Sequence, residues 1–252
     1  MQTEFNGKTA LVTGASRGVG AATAVALARQ GVGRVILHYN SFREGAEQTL
    51  AVIRSASADG VALQADLGKL DGIHSIVDQL RGREVDILVN NAGSLVRRAA
   101  LVDFPEDLFD EVINLNVKSA WFIAQAAAPH MIRQGSGAIV NVSSIAARNG
   151  GGLGATVYAA AKAAISTMTK GMAKELAPKG IRVNAVSPGT VDNHFHEMFS
   201  TREVLDSVVR MTPAGRLGAN EDVADVIVFL CSDAARYVHG QTIEINGGLL
   251  AP

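Results

Sequence analysis

The chain has 252 residues, 48% hydrophobic and 19% charged, with a formal net charge of −1. That length allows one large domain, and the near-zero charge and few aromatics (one Trp, three Tyr, eight Phe) argue against a nucleic-acid-binding module. The lone Cys231 excludes an internal disulfide and fits a reducing, cytoplasmic compartment. The polar start Met1–Lys8 does not read as a signal peptide, and no apolar run approaches the roughly 18 residues of a membrane span.

Short apolar runs alternate with longer helical patterns. Strands are expected at 9–12, 34–39, 61–65, 85–89, 138–142, 181–186 and 241–245. Helices are expected at 18–30, 42–57, 70–80, 105–134, 155–177 and 221–232, with Pro129 bending or breaking the long fourth one. Residues 187–219 read as irregular. Seven unbroken, mostly β-branched strands separated by helices indicate an α/β fold with a parallel sheet buried on both faces. An open doubly wound sheet and a closed eight-unit barrel both have this alternation; seven strands favour the open sheet. Residues 1–252 are read as a single domain with a substrate lid at about 190–215.

A glycine turn, Gly14-Ala15-Ser16-Arg17-Gly18-Val19-Gly20, joins the first strand to its helix. Such glycines leave room for a pyrophosphate at a helix N-terminus, the signature of a Rossmann-type nucleotide crossover. The alternative is a tight turn with close helix packing. At the end of the second strand, Tyr39-Asn40-Ser41-Phe42-Arg43 contains no acid to bind a ribose 2′-hydroxyl. Arg17 and Arg43 flanking Ser41 suit a 2′-phosphate, so NADP(H) is expected over NAD(H). The bland reading makes both arginines solvated surface charges.

Tyr158 and Lys162 lie four apart on one helix face, where an ammonium can favour the phenolate and make the tyrosine an acid–base group. In isolation such a pair is usually structural. Ser144, at a strand end fourteen residues earlier, can hydrogen-bond a substrate carbonyl. Asn90, Ala92 and Gly93 close the fourth strand on the same edge and suit close approach to a cofactor, or a turn. Asn116 sits within the long helix, where asparagine is a mediocre former; it exposes a backbone carbonyl for a bound water or is an ordinary polar position.

In their order and spacing, TGASRGVG at 13–20, NNAG at 90–93, Ser144, YxxxK at 158–162, Pro188-Gly189 and the ending GQTIEINGG at 240–248 resemble the short-chain dehydrogenase/reductase family. The likeness spans essentially the whole chain and is strongest to 3-oxoacyl-acyl-carrier-protein reductase-like members. It implies strand order 3-2-1-4-5-6-7, a homotetramer built on the long helices, and interconversion of a ketone and a secondary alcohol. It implies a tetrad of Asn116, Ser144, Tyr158 and Lys162, with Tyr158 protonating the carbonyl oxygen. It places Asp66, beside Leu67, near adenine, Asn90 in the cofactor cradle, Pro188 and Gly189 along the cofactor, and a threonine contact on the carboxamide. Asn193 stands where family members often carry threonine; Thr190 is the alternative contact.

His194 and His196, flanked by Asp192 and Glu197, match no recognised metal-ligand motif, and no metal is expected. Arg97-Arg98 is a candidate contact for an anionic substrate or an acyl carrier protein, against a plain surface doublet. Cys231, in an apolar segment, reads as a buried small hydrophobe. A nucleotide-sensing protein without chemistry is the competing function. A sugar-nucleotide epimerase lacks a substrate domain here, and enoyl reductases space tyrosine and lysine farther apart.

Overall fold

The apolar runs found in the sequence become one sheet in the computed structural model, which describes residues 4–251. Of the polar start, Met1, Gln2 and Thr3 lie outside the described residues. The strands are β1 (Thr9–Val12), β2 (Arg34–Tyr39), β3 (Asp59–Gln64), β4 (Ile87–Asn90), β5 (Gly137–Val142), β6 (Ile181–Pro188) and β7 (Thr242–Ile245). They pair in parallel in the order 3-2-1-4-5-6-7, the expected doubly wound Rossmann-type topology.

The two-residue period of a strand sends alternate side chains to opposite faces. In β1, Ala10 and Val12 join a core with Leu27, Leu50 and Ile227, from α1 (Gly18–Arg29), α2 (Arg43–Ser55) and α10 (Asn220–Cys231). Leu11 instead joins Ile73, Ile123 and Met172, from α3 (Leu70–Leu80), α5 (Ser119–Gln134) and α7 (Thr156–Leu176). Three helices therefore cover each face. Each fully buried leucine or isoleucine, such as Leu11, Leu27 and Ile73, contributes about 1.5–3 kcal/mol.

The expected long helix over 105–134 is three pieces. α4 (Glu106–Ile113) passes into one π-helical turn, Asn114–Lys118, and then into α5. A wider turn moves main-chain donors away from carbonyls, and side chains take their place. Asn116 Nδ2 donates to Val112 O at 2.9 Å, and Ser119 Oγ donates to Leu115 O at 2.6 Å. Pro129 does not end α5, which runs on to Gln134 and stops at Gly135, φ 68°. Met131, with no exposed surface, packs beyond the proline and offsets the lost hydrogen bond.

The stretch 187–219 is also more ordered than its composition suggests. β6 extends to Pro188, and α8 (His194–Phe199) and α9 (Arg202–Met211) follow. Asn193 and Thr201 cap them, their side-chain oxygens accepting from Phe195 N and Val204 N. A short α6 (Ala146–Asn149) follows Ser144. Cys231 is buried, and burial pushes its thiol up to about 12. No described helix is long and apolar enough to cross a membrane.

Candidate active site

Every parallel strand ends on the same edge of the sheet, and the glycine turn opens there. Gly14 and Gly18 take φ values of 64° and 61°, backbone that a side chain disfavours. A Cβ on Gly20 would stand 2.3 Å from Gly14 O, so the first turn of α1 presses directly on the loop. Arg17 caps α1 with extended backbone and no side-chain bond, and no acid occupies the first turn. The helix start thus keeps free N–H groups and an uncompensated positive end, a fit for phosphate. Ser16 and Val19 lie within this turn, partly exposed.

Beside it, Arg17 stacks its guanidinium 4.0 Å from the Phe42 ring centroid. Ser41 is exposed, and Arg43 is turned along α2 to pair with Glu47 at 2.8 Å. Asp66 Oδ1 accepts from Gly68 N at 3.1 Å, and Asn40 Nδ2 approaches it at 3.5 Å, so the ends of β2 and β3 meet beside Tyr39. Leu67 is buried in the core, which leaves its main chain alone to face the crevice.

A second cluster forms around Tyr158, near the start of α7. Its phenol is surrounded by protein while the residue keeps some accessible surface. Desolvation pushes the phenol up to about 12; the neighbouring Ser144 hydroxyl pulls the other way but less. The expected lowering by Lys162 is not found; burial and Ser144 alone set the shift. The Lys162 Nζ stands 5.7 Å from the Tyr158 ring centroid, donates to Val142 O at 2.8 Å, and is itself brought down to about 8 by desolvation. Ser144 Oγ accepts from Ala146 N at 3.1 Å, and its hydroxyl also faces the Tyr158 phenol.

Asn116 completes the cluster from the π turn. Its Nδ2 donates to Ser94 O at 2.8 Å and to Val112 O, while its buried Oδ1 has no partner among the described residues. A Cβ on Gly93 would lie 2.6 Å from that oxygen and 2.7 Å from Lys162 Nζ. Gly93 therefore lets both polar atoms reach one point of the crevice. Together with the open α1 terminus, the glycine cradle and the orphan Asn116 oxygen fit a nicotinamide dinucleotide.

Asn90 sits differently. Its side chain turns into the core, donating to Ala120 O and Asn141 Oδ1 at 3.2 and 3.0 Å. Ala92 N donates to Thr13 Oγ1, fixing β4's end to the glycine turn. Pro188 O accepts from Ile145 N, Gly189 N donates to Ile245 O, and Thr190 O accepts from Gly218 N, so this segment lines the crevice through its main chain. The histidines do not converge. His194 pairs with Glu197 and His196 with Ser200, and no described group of three or more His, Cys, Asp or Glu side chains could hold a metal.

Comparison with known proteins agrees with this geometry. Residues 14–250 match a family model described as enoyl-(acyl carrier protein) reductase. A 3-oxoacyl-(acyl-carrier-protein) reductase of Staphylococcus aureus is 38% identical over 244 residues, 96% of this chain and 98% of its own. The chain belongs to the short-chain dehydrogenase/reductase family. It is an oxidoreductase acting on a CH–OH group with a nicotinamide dinucleotide. The 2-dehydro-3-deoxy-D-gluconate 5-dehydrogenase of Escherichia coli is 39% identical over 251 residues, 98% and 97% of the two chains. Among solved structures, a gluconate 5-dehydrogenase from Burkholderia cenocepacia with NADP and tartrate is 32% identical, covers 97% and 95%, and has a TM-score of 0.87. An NADH-dependent reductase responsible for alginate metabolism is 34% identical, covers 99% of each chain, and has a TM-score of 0.86.

Several residues of this short-chain dehydrogenase/reductase escaped the sequence reading. Asn91 Nδ2 donates to Thr13 O and Gly14 O at 2.8 and 3.1 Å, holding the glycine turn shut. His38 Nδ1 accepts from Gly14 N at 3.2 Å and Nε2 donates to Ala65 O at 3.0 Å. Those partners fix one tautomer, and burial lowers the imidazole pKa below 6.5, keeping it neutral. A histidine inside an apolar strand was the available signal. Val96 takes φ 62° in a γ-turn closed by Arg97 N to Leu95 O, and packs against the same cluster, Leu108, Val112 and Ala161, as Tyr158. A β-branched residue there costs about 1–3 kcal/mol, strain of the kind that gathers at functional sites.

Proposed function

We propose that the protein reduces a ketone to a secondary alcohol, or runs the reverse, with NADP(H) and with Tyr158 as the proton donor to the carbonyl oxygen. The observation that carries this reading is the Tyr158 phenol set beside the Ser144 hydroxyl, with Lys162 Nζ 5.7 Å from its ring, on the crevice edge shared with the glycine turn. A bound nicotinamide supplies or accepts the hydride. Ser144 donates to the carbonyl oxygen and spreads its developing charge. Tyr158 gives its proton to the same oxygen. Lys162, the nearest ammonium, steadies the phenolate left behind, and Asn116 Oδ1 takes a proton-carrying group at the inner end of the path.

Gly14, Ser16, Gly18, Val19 and Gly20 hold the pyrophosphate. Arg17, Ser41 and Arg43 take the 2′-phosphate, Arg43 leaving its exposed Glu47 pair, which holds it weakly. Tyr39, Asn40, Asp66 and the Leu67 main chain border the adenosine; Asn90, Ala92, Gly93, Pro188, Gly189 and Thr190 border the nicotinamide. Tyr158 and Lys162 stand four apart on α7, which favours carbonyl over enoyl reduction. The substrate is a small-molecule ketone, with the acyl-carrier-protein thioester and the sugar acid of the named relatives as its two models. A cytoplasmic homotetramer is the proposed assembly. The exposed Phe109, Trp121 and Phe122 on α4 and α5 are its contact face.

Titration with NADPH and NADH, followed by turnover of a 3-oxoacyl thioester, a diketone, an aromatic ketone and a keto-sugar, tests the reading. NADPH should bind at least about tenfold tighter, the loss expected when a charge-assisted phosphate contact is missing. Tighter NADH binding overturns the phosphate site. Saturable binding without turnover of any ketone leaves a nucleotide sensor.

A further inference from the structure

Above Tyr158 the roof is one aromatic side chain. The Phe195 ring lies 5.8 Å from the Tyr158 ring, centroid to centroid, inclined by 36°. His196 and Phe199 pack on it edge-first at 5.1 and 5.0 Å. All three belong to α8, a six-residue helix without one buried side chain. A helix that short does not hold itself together in water. Its position is set at its two ends.

At the first end, Asn193 caps α8 and donates from Nδ2 to Asn220 Oδ1 at 3.1 Å. At the other, the Arg98 Nε and Nη2 both donate to Phe199 O, at 3.1 and 3.0 Å. The same guanidinium donates from Nη1 to Leu153 O at 2.6 Å. Arg98 has no carboxylate partner among the described residues. Gly154 makes room for it, since a Cβ there would come within 3.0 Å of the Arg98 Cβ. One side chain thus ties together the loop after β4, the glycine loop 150–154 and the far end of α8.

We infer that Arg98 is a positioning residue that clasps α8 over the site, and that Phe195, held by this clasp, restricts the substrate to compact ketones. The inference rests on the proposed carbonyl reduction at Tyr158. A planar guanidinium can grip one carbonyl with two N–H groups and reach a second carbonyl at the same time; an ammonium cannot span that fork. At a 5.8 Å centroid separation the two rings are in contact, so a substrate reaches Ser144 and Tyr158 past the edge of Phe195, and a compact ketone demands the smaller displacement of that ring. A long acyl chain entering from this side must displace Phe195, and so must break the clasp. His196, held below its usual pKa by burial and by Arg98, adds no second positive charge under the lid.

The test compares wild type with Arg98→Ala, Arg98→Lys and Phe195→Ala. Amide hydrogen exchange of residues 195–200 is read on the protein alone, and kcat and KM on a keto-sugar and a 3-oxoacyl thioester. Arg98→Ala should speed exchange in α8 at least about tenfold, the consequence of losing charge-assisted hydrogen bonds. Arg98→Lys should recover little of it. For both Arg98 variants the keto-sugar KM should rise about tenfold, with kcat within a factor of about two and NADPH affinity unchanged. Phe195→Ala should leave exchange at 197–200 near wild type and move selectivity about tenfold toward the thioester. Unchanged exchange in Arg98→Ala overturns the clasp, whatever the activity. Unchanged selectivity in both Arg98→Ala and Phe195→Ala overturns the roof. Wild type inactive on every ketone would refute the carbonyl reading while the exchange result still decides the clasp.

Discussion

At Lys162 the folded protein keeps an ammonium group with 3% of the residue exposed and a main-chain carbonyl, Val142 O, as its hydrogen-bond partner. Burial brings its pKa down from 10.5 to about 8, which corresponds to roughly 3 kcal/mol against the charged form. Between those two values the unfolded chain holds a proton that the folded chain has released. Stability from this group therefore rises with pH from about 8 to 10.5, and its cost is fully present below 8. Lys162→Met should remove that cost and leave Val142 O unpaired, itself worth about 1–3 kcal/mol. We predict a Tm at pH 7 higher by about 2–6 °C, with the advantage shrinking as the pH is raised through 10. Thermal melts of both proteins across this range check it; a less stable variant at pH 7 contradicts it. Function here is held at the expense of stability.

Element ends carry smaller and cleaner effects. Beyond α2, the exposed Ser57 takes φ 65°, the left-handed position that a glycine normally fills after a helix. Ser57→Gly should stabilise by about 0.5–1 kcal/mol, visible as a Tm rise of roughly 1–4 °C without change in cofactor affinity. A lower Tm would show that the serine side chain contributes more than the strain costs. The same scale separates what the sequence could show from what it could not. Strands such as Val35 to Leu37 and Leu88 to Val89 are buried on both faces, so apolar runs alone mark them. Asn116 could not reveal a π turn, because the turn answers to Ser94 O and to the Gly93 gap, which are distant in sequence. α8 and α9 bury no side chains; in α9 the stripe Val204, Leu205, Val208 and Val209 marked a helix all the same, and the caps Asn193 and Thr201 marked the start of each. Tyr158, Lys162 and Ser144 were legible from spacing. Asn91 and His38 were not, and Arg98 was read as a candidate substrate contact, since each bonds main-chain atoms of other segments.

Over the whole molecule, the sheet brings every candidate group to one edge, while α4 and α5 show three aromatic rings to the outside among the acidic side chains of α4. Phe109, Trp121 and Phe122 are 47%, 41% and 37% exposed, more aromatic surface than an isolated chain gains by showing to water. For the proposed tetramer, Trp121→Glu should lower the mass seen by sedimentation to that of a smaller species, with the far-ultraviolet spectrum unchanged; an unaltered mass removes this face from the assembly. Proton delivery by Tyr158 is decided by ketone turnover and NADPH affinity measured side by side for wild type and Tyr158→Phe. Loss of the phenolic proton should lower kcat by about 10²–10⁴-fold while the NADPH Kd stays within a factor of about two. Turnover close to wild type in the phenylalanine variant would show that another group protonates the carbonyl oxygen.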